Sequence, residues 1–179
     1  AFRKPLGELF TQFEQTPVAS ASIAQVHFAT LVDGQGRERE VAVKVQRPGI
    51  ADLVRADLDA IAGLADRADR HTEMGRRVHF ADWVHEFRKT LLAELDYRAE
   101  AENLERFGDH LQDYPELVVP RPFPDLTSTR VLTMELVRGT KVTEIGGVQR
   151  TEQPLDRLAE ALMRGYLGQV FVCGEMPAG

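Results

Sequence analysis

The chain has 179 residues, enough for a domain with a real core, and carries an ordinary balance of 43% hydrophobic and 28% charged residues. Its 22 Lys and Arg against 28 Asp and Glu give a net charge of −6 without a basic block, so nucleic acid is not the expected partner. No segment approaches the roughly 18 apolar residues needed to cross a bilayer. The single cysteine, Cys173, allows no internal disulfide and suits a reducing compartment.

In chain order, Leu6, Leu9, Phe10 and Phe13 recur at helical spacing and predict a leading helix within residues 1–15, stopped by Pro17. The opening run Ala1-Phe2-Arg3-Lys4-Pro5 has no apolar core behind it of the kind a secretory leader shows. Small residues follow, Ala19-Ser20-Ala21-Ser22, and then an alternating run from Ile23 to Ala29 that predicts a strand. Asp33-Gly34-Gln35-Gly36 signals a turn, and Glu40 to Val45 alternates again, so a hairpin is expected. Pro48-Gly49 ends it.

The middle reads as helical. Ile50, Val54, Leu58, Ile61 and Ala65 form one apolar stripe; Phe80, Val84, Phe87, Leu91 and Leu95 form a second. The phase breaks near Asp96, which can cap a third helix carrying Ala101, Leu104, Phe107 and Leu111. Strands are expected again at Leu117–Pro120 and at Arg130–Glu135. Gly139 marks a turn, and a last amphipathic helix begins near Pro154 with Leu155, Leu158, Leu162, Tyr166 and Val170.

Lys44 is the first residue with chemical interest. A lysine in an apolar strand needs an anionic partner, because desolvating an unpaired charge is costly. Val-Ala-Val-Lys also has the pattern of the kinase strand whose lysine holds nucleotide phosphates, although four such residues occur in many strands by chance. Glu94, Glu100 and Glu102 are the candidate partners, each of which could equally sit on a solvated helix face. Between the first two strands a kinase places glycines so that backbone can approach phosphates. Here the loop keeps small side chains without glycine, which forbids most positive-φ conformations and should make it stiffer.

Three segments taken together, Pro17 to His27, VAVKVQRPGI from Val41 to Ile50, and ELDYRAEAENLERF from Glu94 to Phe107, resemble the aarF-domain-containing or UbiB family of atypical kinases, linked to ubiquinone biosynthesis. The alanine-rich loop is the most specific of the three, and the resemblance covers about residues 5 to 172. It implies an α+β fold: a kinase-like N-lobe with an antiparallel sheet over residues 16–137, a helical insertion at about 50–93, and a hinge with the first C-lobe helix over 138–179. It implies ATP as the ligand. Lys44 would hold the α and β phosphates and pair with Glu100. Ala19, Ser20, Ala21 and Ser22 would cover the phosphates. Val26 and Ala42 would line the nucleotide site, and Glu135 and Val137 would belong to a hinge running from Met134 to Val137 that contacts adenine through backbone amides. Glu94 and Asp96 would face the cleft.

The family pattern also includes a Lys-x-Gly-Gln motif, a His-x-Asp-Pro-His-x-x-Asn type catalytic loop and an Asp-Phe-Gly-like metal site. None is found here; after Val172 the sequence reads Cys173 to Gly179. The expectation is therefore a fragment of an ATP-dependent kinase or ATPase, with no catalytic residue, little turnover, and Mg2+ needed only in the complete protein. A non-catalytic nucleotide-sensing or partner-binding module is the alternative. Lipid or quinone-pathway partners, and a location in the cytoplasm or peripheral to a membrane, are implied by the family.

Overall fold

A computed structural model of the chain describes residue 2, residues 4–140 and residues 155–168. The hinge and C-lobe expectations for 141–154 and 169–179, Cys173 among them, lie outside the described residues. Five strands form one antiparallel sheet: β1 (Gln12–Phe13), β2 (Ala19–Ser20), β3 (Ala24–Val32), β4 (Glu38–Gln46) and β5 (Val131–Glu135). The order is β1-β3-β4-β5, with β2 also on β3. β1 meets Ala29 and Thr30 while β2 meets Gln25 and Val26, so the two short strands are successive pieces of one sheet edge.

Register sorts the side chains. Residues directly opposite each other in a sheet share a face, and neighbours along a strand alternate. Val26, Lys44 and Leu132 are in register, as are Phe28, Ala42 and Met134, so these six share one face. Ala29, Val41, Val43 and Val131 occupy the other, where Phe10 and Leu31 complete a buried core. The Lys44 face is covered by a helix, as described below.

The leading helix is shorter than its spacing suggests. α1 is the single turn Leu6–Leu9. Phe10 is already extended, and Phe13 lies in β1 with its ring stacked on His27 at 5.2 Å. Edge pairing to β3 competes with a helix that would have too few turns to be stable alone. Leu117–Pro120 also departs from expectation: it is irregular rather than a strand. Pro120 and Pro122 lack the N–H donors a ladder needs, and only an isolated bridge from Pro122 to Met134 forms.

Three helices follow β4: α2 (Ile50–His71), α3 (Glu73–Val78) and α4 (Phe80–Ala93). α2 and α4 run as a hairpin with Leu58 and Ala65 buried between them. Gly75 makes the tight corner possible. A Cβ there would stand 2.1 Å from the Ala68 carbonyl oxygen, a contact no side chain can occupy. The Asp69 carboxylate accepts from the amides of Phe80 (3.0 Å) and Ala81 (2.9 Å), satisfying the first free donors of α4. Arg88 and Asp59 pair across the hairpin. α5 (Tyr97–His110) then returns to the sheet, and α6 (Leu155–Gly168) is the last described element. Gly165 of α6 lies against Leu111 and Leu117.

Candidate nucleotide site

Two side chains 56 positions apart meet where α5 crosses the sheet face that carries Lys44. Lys44 Nζ donates to both carboxylate oxygens of Glu100, at 2.8 Å each. The strand supplies the lysine on the face defined by Val26 and Leu132; the helix supplies the acid one turn in from its start. Neither is sealed from water: the side chains are 26% and 38% exposed. The pair is thus reached by solvent rather than locked in a core. Glu94 and Glu102, the other candidate partners, are both exposed.

The start of α5 is fixed at several points. Asp96 is its N-cap, accepting from the Arg98 amide at 3.0 Å. The Arg98 guanidinium also bonds both Asp96 oxygens, at 3.0 and 2.6 Å. That guanidinium, with the amide, holds the Asp96 carboxyl below its ordinary value against a smaller opposing effect of burial. Gln46, two residues beyond Lys44 and on the same face, donates its side-chain amide to the Leu95 carbonyl at 3.0 Å. The Tyr97 amide donates to Thr129 O at 3.3 Å. Tyr97, Ala101 and Leu132 pack with Ala24 beneath the strand ends, with Met134 against them.

The alanine-rich segment divides in two. Ala19 and Ser20 are strand residues of β2; Ala21 to Ile23 turn the chain into β3, with the Ala21 amide donating to Ala24 O at 2.8 Å. Ala19 to Ser22 are all exposed, and none of the four takes a positive φ, as the missing glycines require. Arg47 ties this turn to β4: its amide donates to Ile23 O at 2.9 Å and its Nε to Ala21 O at 3.1 Å.

Val26 and Ala42 lie on the Lys44 face. Glu135 does not: register puts it with Val41 on the opposite face, where its carboxylate accepts from the Arg121 amide at 3.4 Å. The amides of Glu135 and Leu136 donate to Arg121 O and Glu40 O. Of the expected hinge, this leaves Val137, which is exposed, as the position with no amide donation described. Sequence reasoning underrated Met134 as a lining side chain. Counting by twos from Leu132 would have placed it on the lysine face.

Glu94 caps the C-terminal end of α4 and is exposed, and Asp96 is occupied by Arg98 and its own helix, so neither touches Lys44. Mg2+ takes a nearly ideal octahedron of oxygens, several from water and substrate phosphates. With Glu100 committed to Lys44 and Asp96 to Arg98, the described acids do not make a donor set for it. No group of three or more potential ligands is found among the described residues. No helix among them is long and apolar enough to cross a membrane.

Comparison with known proteins places the chain. The family model described as ABC1 atypical kinase-like domain matches residues 1–178. The protein Rv0647c of Mycobacterium tuberculosis is 39% identical over 178 residues, covering 96% of this chain and 36% of the relative. The "Probable protein kinase UbiB" of Cellvibrio japonicus is 36% identical over 166 residues, covering 93% of this chain and 29% of that protein. The structure of Rv3197 from Mycobacterium tuberculosis, solved as a complex with erythromycin, superposes with a TM-score of 0.64 at 36% identity, over 77% of this chain and 33% of that one. The chain therefore spans about a third of the length of the relatives it matches. With its antiparallel sheet, helical insertion and lysine-bearing strand, this chain belongs to the ABC1 atypical kinase-like family.

Proposed function

We propose that this chain is the ATP-binding portion of an atypical kinase or ATPase of the UbiB type. One observation carries the reading: the Lys44 ammonium is held on both oxygens of Glu100 at 2.8 Å, where water still reaches both side chains. A lysine so aligned presents its positive charge to phosphate oxygens without first having to find its orientation. Val26 and Ala42, on the same face, offer apolar contact to an adenine ring. Val137 is the hinge position available for its polar edge. The exposed Ala19–Ser22 segment has the small side chains that let backbone and hydroxyls approach phosphates.

The groups that would position an acceptor hydroxyl and clamp a metal are not supplied by the described acids. Phosphoryl transfer is accordingly assigned to the longer protein, with Mg2+ held by residues beyond those described here. Lipid or quinone-pathway partners, and a cytoplasmic or membrane-peripheral place of action, belong to the same proposal; they rest on the UbiB name of several relatives.

Binding of Mg-ATP to the 179-residue chain, measured by calorimetry, tests the reading. Wild type should bind, and Lys44→Met should weaken binding about a hundredfold, the loss of a charge-assisted contact worth about 3 kcal/mol. Equal affinity in the two proteins would remove the site.

A further inference from the structure

Glu100 is not the only group that touches the Lys44 ammonium. Lys44 Nζ stands over the ring of Tyr97, 4.8 Å from its centroid. That distance is inside the range in which an aromatic face attracts a cation. Tyr97 is the first residue of α5 and Glu100 lies three positions on, so one helix face delivers both. The ring is 1% exposed, packed with Ala24, Ala101 and Leu132. Its backbone is tied to Thr129 O, and the preceding Leu95 carbonyl to Gln46. A residue held so firmly cannot follow the lysine; the lysine must settle on it.

We propose that Tyr97 is a positioning residue for Lys44, its buried ring forming the floor on which the ammonium rests while Glu100 holds it from the side. This deepens the nucleotide-binding reading and rests on it for its functional consequence. A carboxylate alone leaves a flexible four-carbon side chain free to swing about the two oxygens. Adding a fixed aromatic face below removes most of that freedom before any ligand arrives. The ring face does this, not the hydroxyl. Tyr97 Oη is buried and has no hydrogen-bond partner. Burial first, and the Glu100 carboxylate second, push the phenol up to about 12, so the ring remains a neutral phenol at physiological pH.

Two substitutions separate the ring from the bulk. Tyr97→Phe keeps the aromatic face, and Tyr97→Leu keeps an apolar filler without it. The experiment reads Mg-ATP affinity, thermal melting, and the side-chain ammonium proton shift of Lys44 by NMR in the nucleotide-free chain. The Lys44 signal in wild type should show the upfield ring-current displacement of a group above an aromatic face. Tyr97→Phe should retain that displacement and bind Mg-ATP as wild type does. Tyr97→Leu should lose the displacement and bind about tenfold more weakly, one cation–π contact.

Wild-type affinity in a folded Tyr97→Leu, or an equal loss in Tyr97→Phe, would overturn the proposal. If Tyr97→Leu does not fold, the wild-type shift decides: its absence overturns the proposal, and its presence together with retention in Tyr97→Phe supports it. Failure of wild type to bind Mg-ATP at all would sink the nucleotide reading instead, while the ammonium shift would still report whether the ring holds Lys44.

Discussion

The sheet with α5 and the hairpin of α2 and α4 are built on opposite principles. In the first, both faces of the sheet are used. One packs on Phe10, Val41, Val43 and their neighbours, and the other takes α5 and the Lys44–Glu100 pair. In the second, burial is sparse. Leu58, Ala65 and the corner glycine Gly75 are its only buried residues, while Leu53, Ile61 and Leu64 of α2 and Trp83 and Phe87 of α4 stay exposed, Trp83 at 72%. Long-range polar contacts from both sheet and loops converge on the start of α5, whereas the hairpin is held mainly by its own corner, cap and cross-pair. The comparison teaches that precision is concentrated where a lysine must be aimed. The hairpin, residues 50–93, takes up most of the chain between lysine and glutamate without fixing their geometry.

That contrast can be broken by substitution. Gly75→Ala should have the largest effect on stability, about 3 kcal/mol, because a methyl group would collide with the Ala68 backbone rather than with a side chain that can turn away. Hydrogen exchange should show the loss confined to α2–α4, with the sheet amides still protected; global unfolding would erase the distinction between the regions.

Alkaline pH probes the other region. The Tyr97 phenol is raised to about 12 from an ordinary 10.0. Its contribution is therefore complete below pH 10 and declines as pH rises toward 12, since the unfolded phenol ionises first. Phenolate absorbance should show a late-titrating step, and Tyr97→Phe should abolish it. An unchanged late step would assign it elsewhere.

Smaller effects sharpen the comparison. Asp69→Ala removes the carboxylate that accepts from Phe80 and Ala81 and should cost about 1 kcal/mol by denaturant unfolding. Trp83→Ser should change stability by less than about 0.5 kcal/mol, because the ring is already in solvent; a larger loss would mean that the indole is packed.

The legibility of the sequence followed the same division. Strand alternation showed that Lys44 needs an acid but left Glu94, Glu100 and Glu102 open, and the family resemblance singled out Glu100; the phase break at Asp96 gave that glutamate its own helix. The cap at Asp96 was readable for the same reason. Glu135 was expected in the hinge through its backbone, but its amide donates to Arg121 O and register turns its side chain away, and Tyr97 passed unremarked within the Glu94–Phe107 segment. An aromatic residue at a helix start looks like core until the strand above it is placed. Ile61 and Phe87 belong to clean helical stripes, yet both are exposed. Periodicity shows that a helix has an apolar side; it does not show that a two-helix hairpin is too narrow to cover all of it. Phe13 and Leu117–Pro120 were misread at edges, where a few pairing bonds or a missing N–H decide between conformations.

The most direct test of the central claim is a double-mutant cycle on Mg-ATP affinity with Lys44→Met, Glu100→Gln and the pair. If Glu100 works by aiming Lys44, Glu100→Gln should weaken binding about tenfold alone and have almost no further effect once Lys44 is methionine, a coupling of about 1.4 kcal/mol. Strictly additive losses, or binding indifferent to both substitutions, would contradict the account.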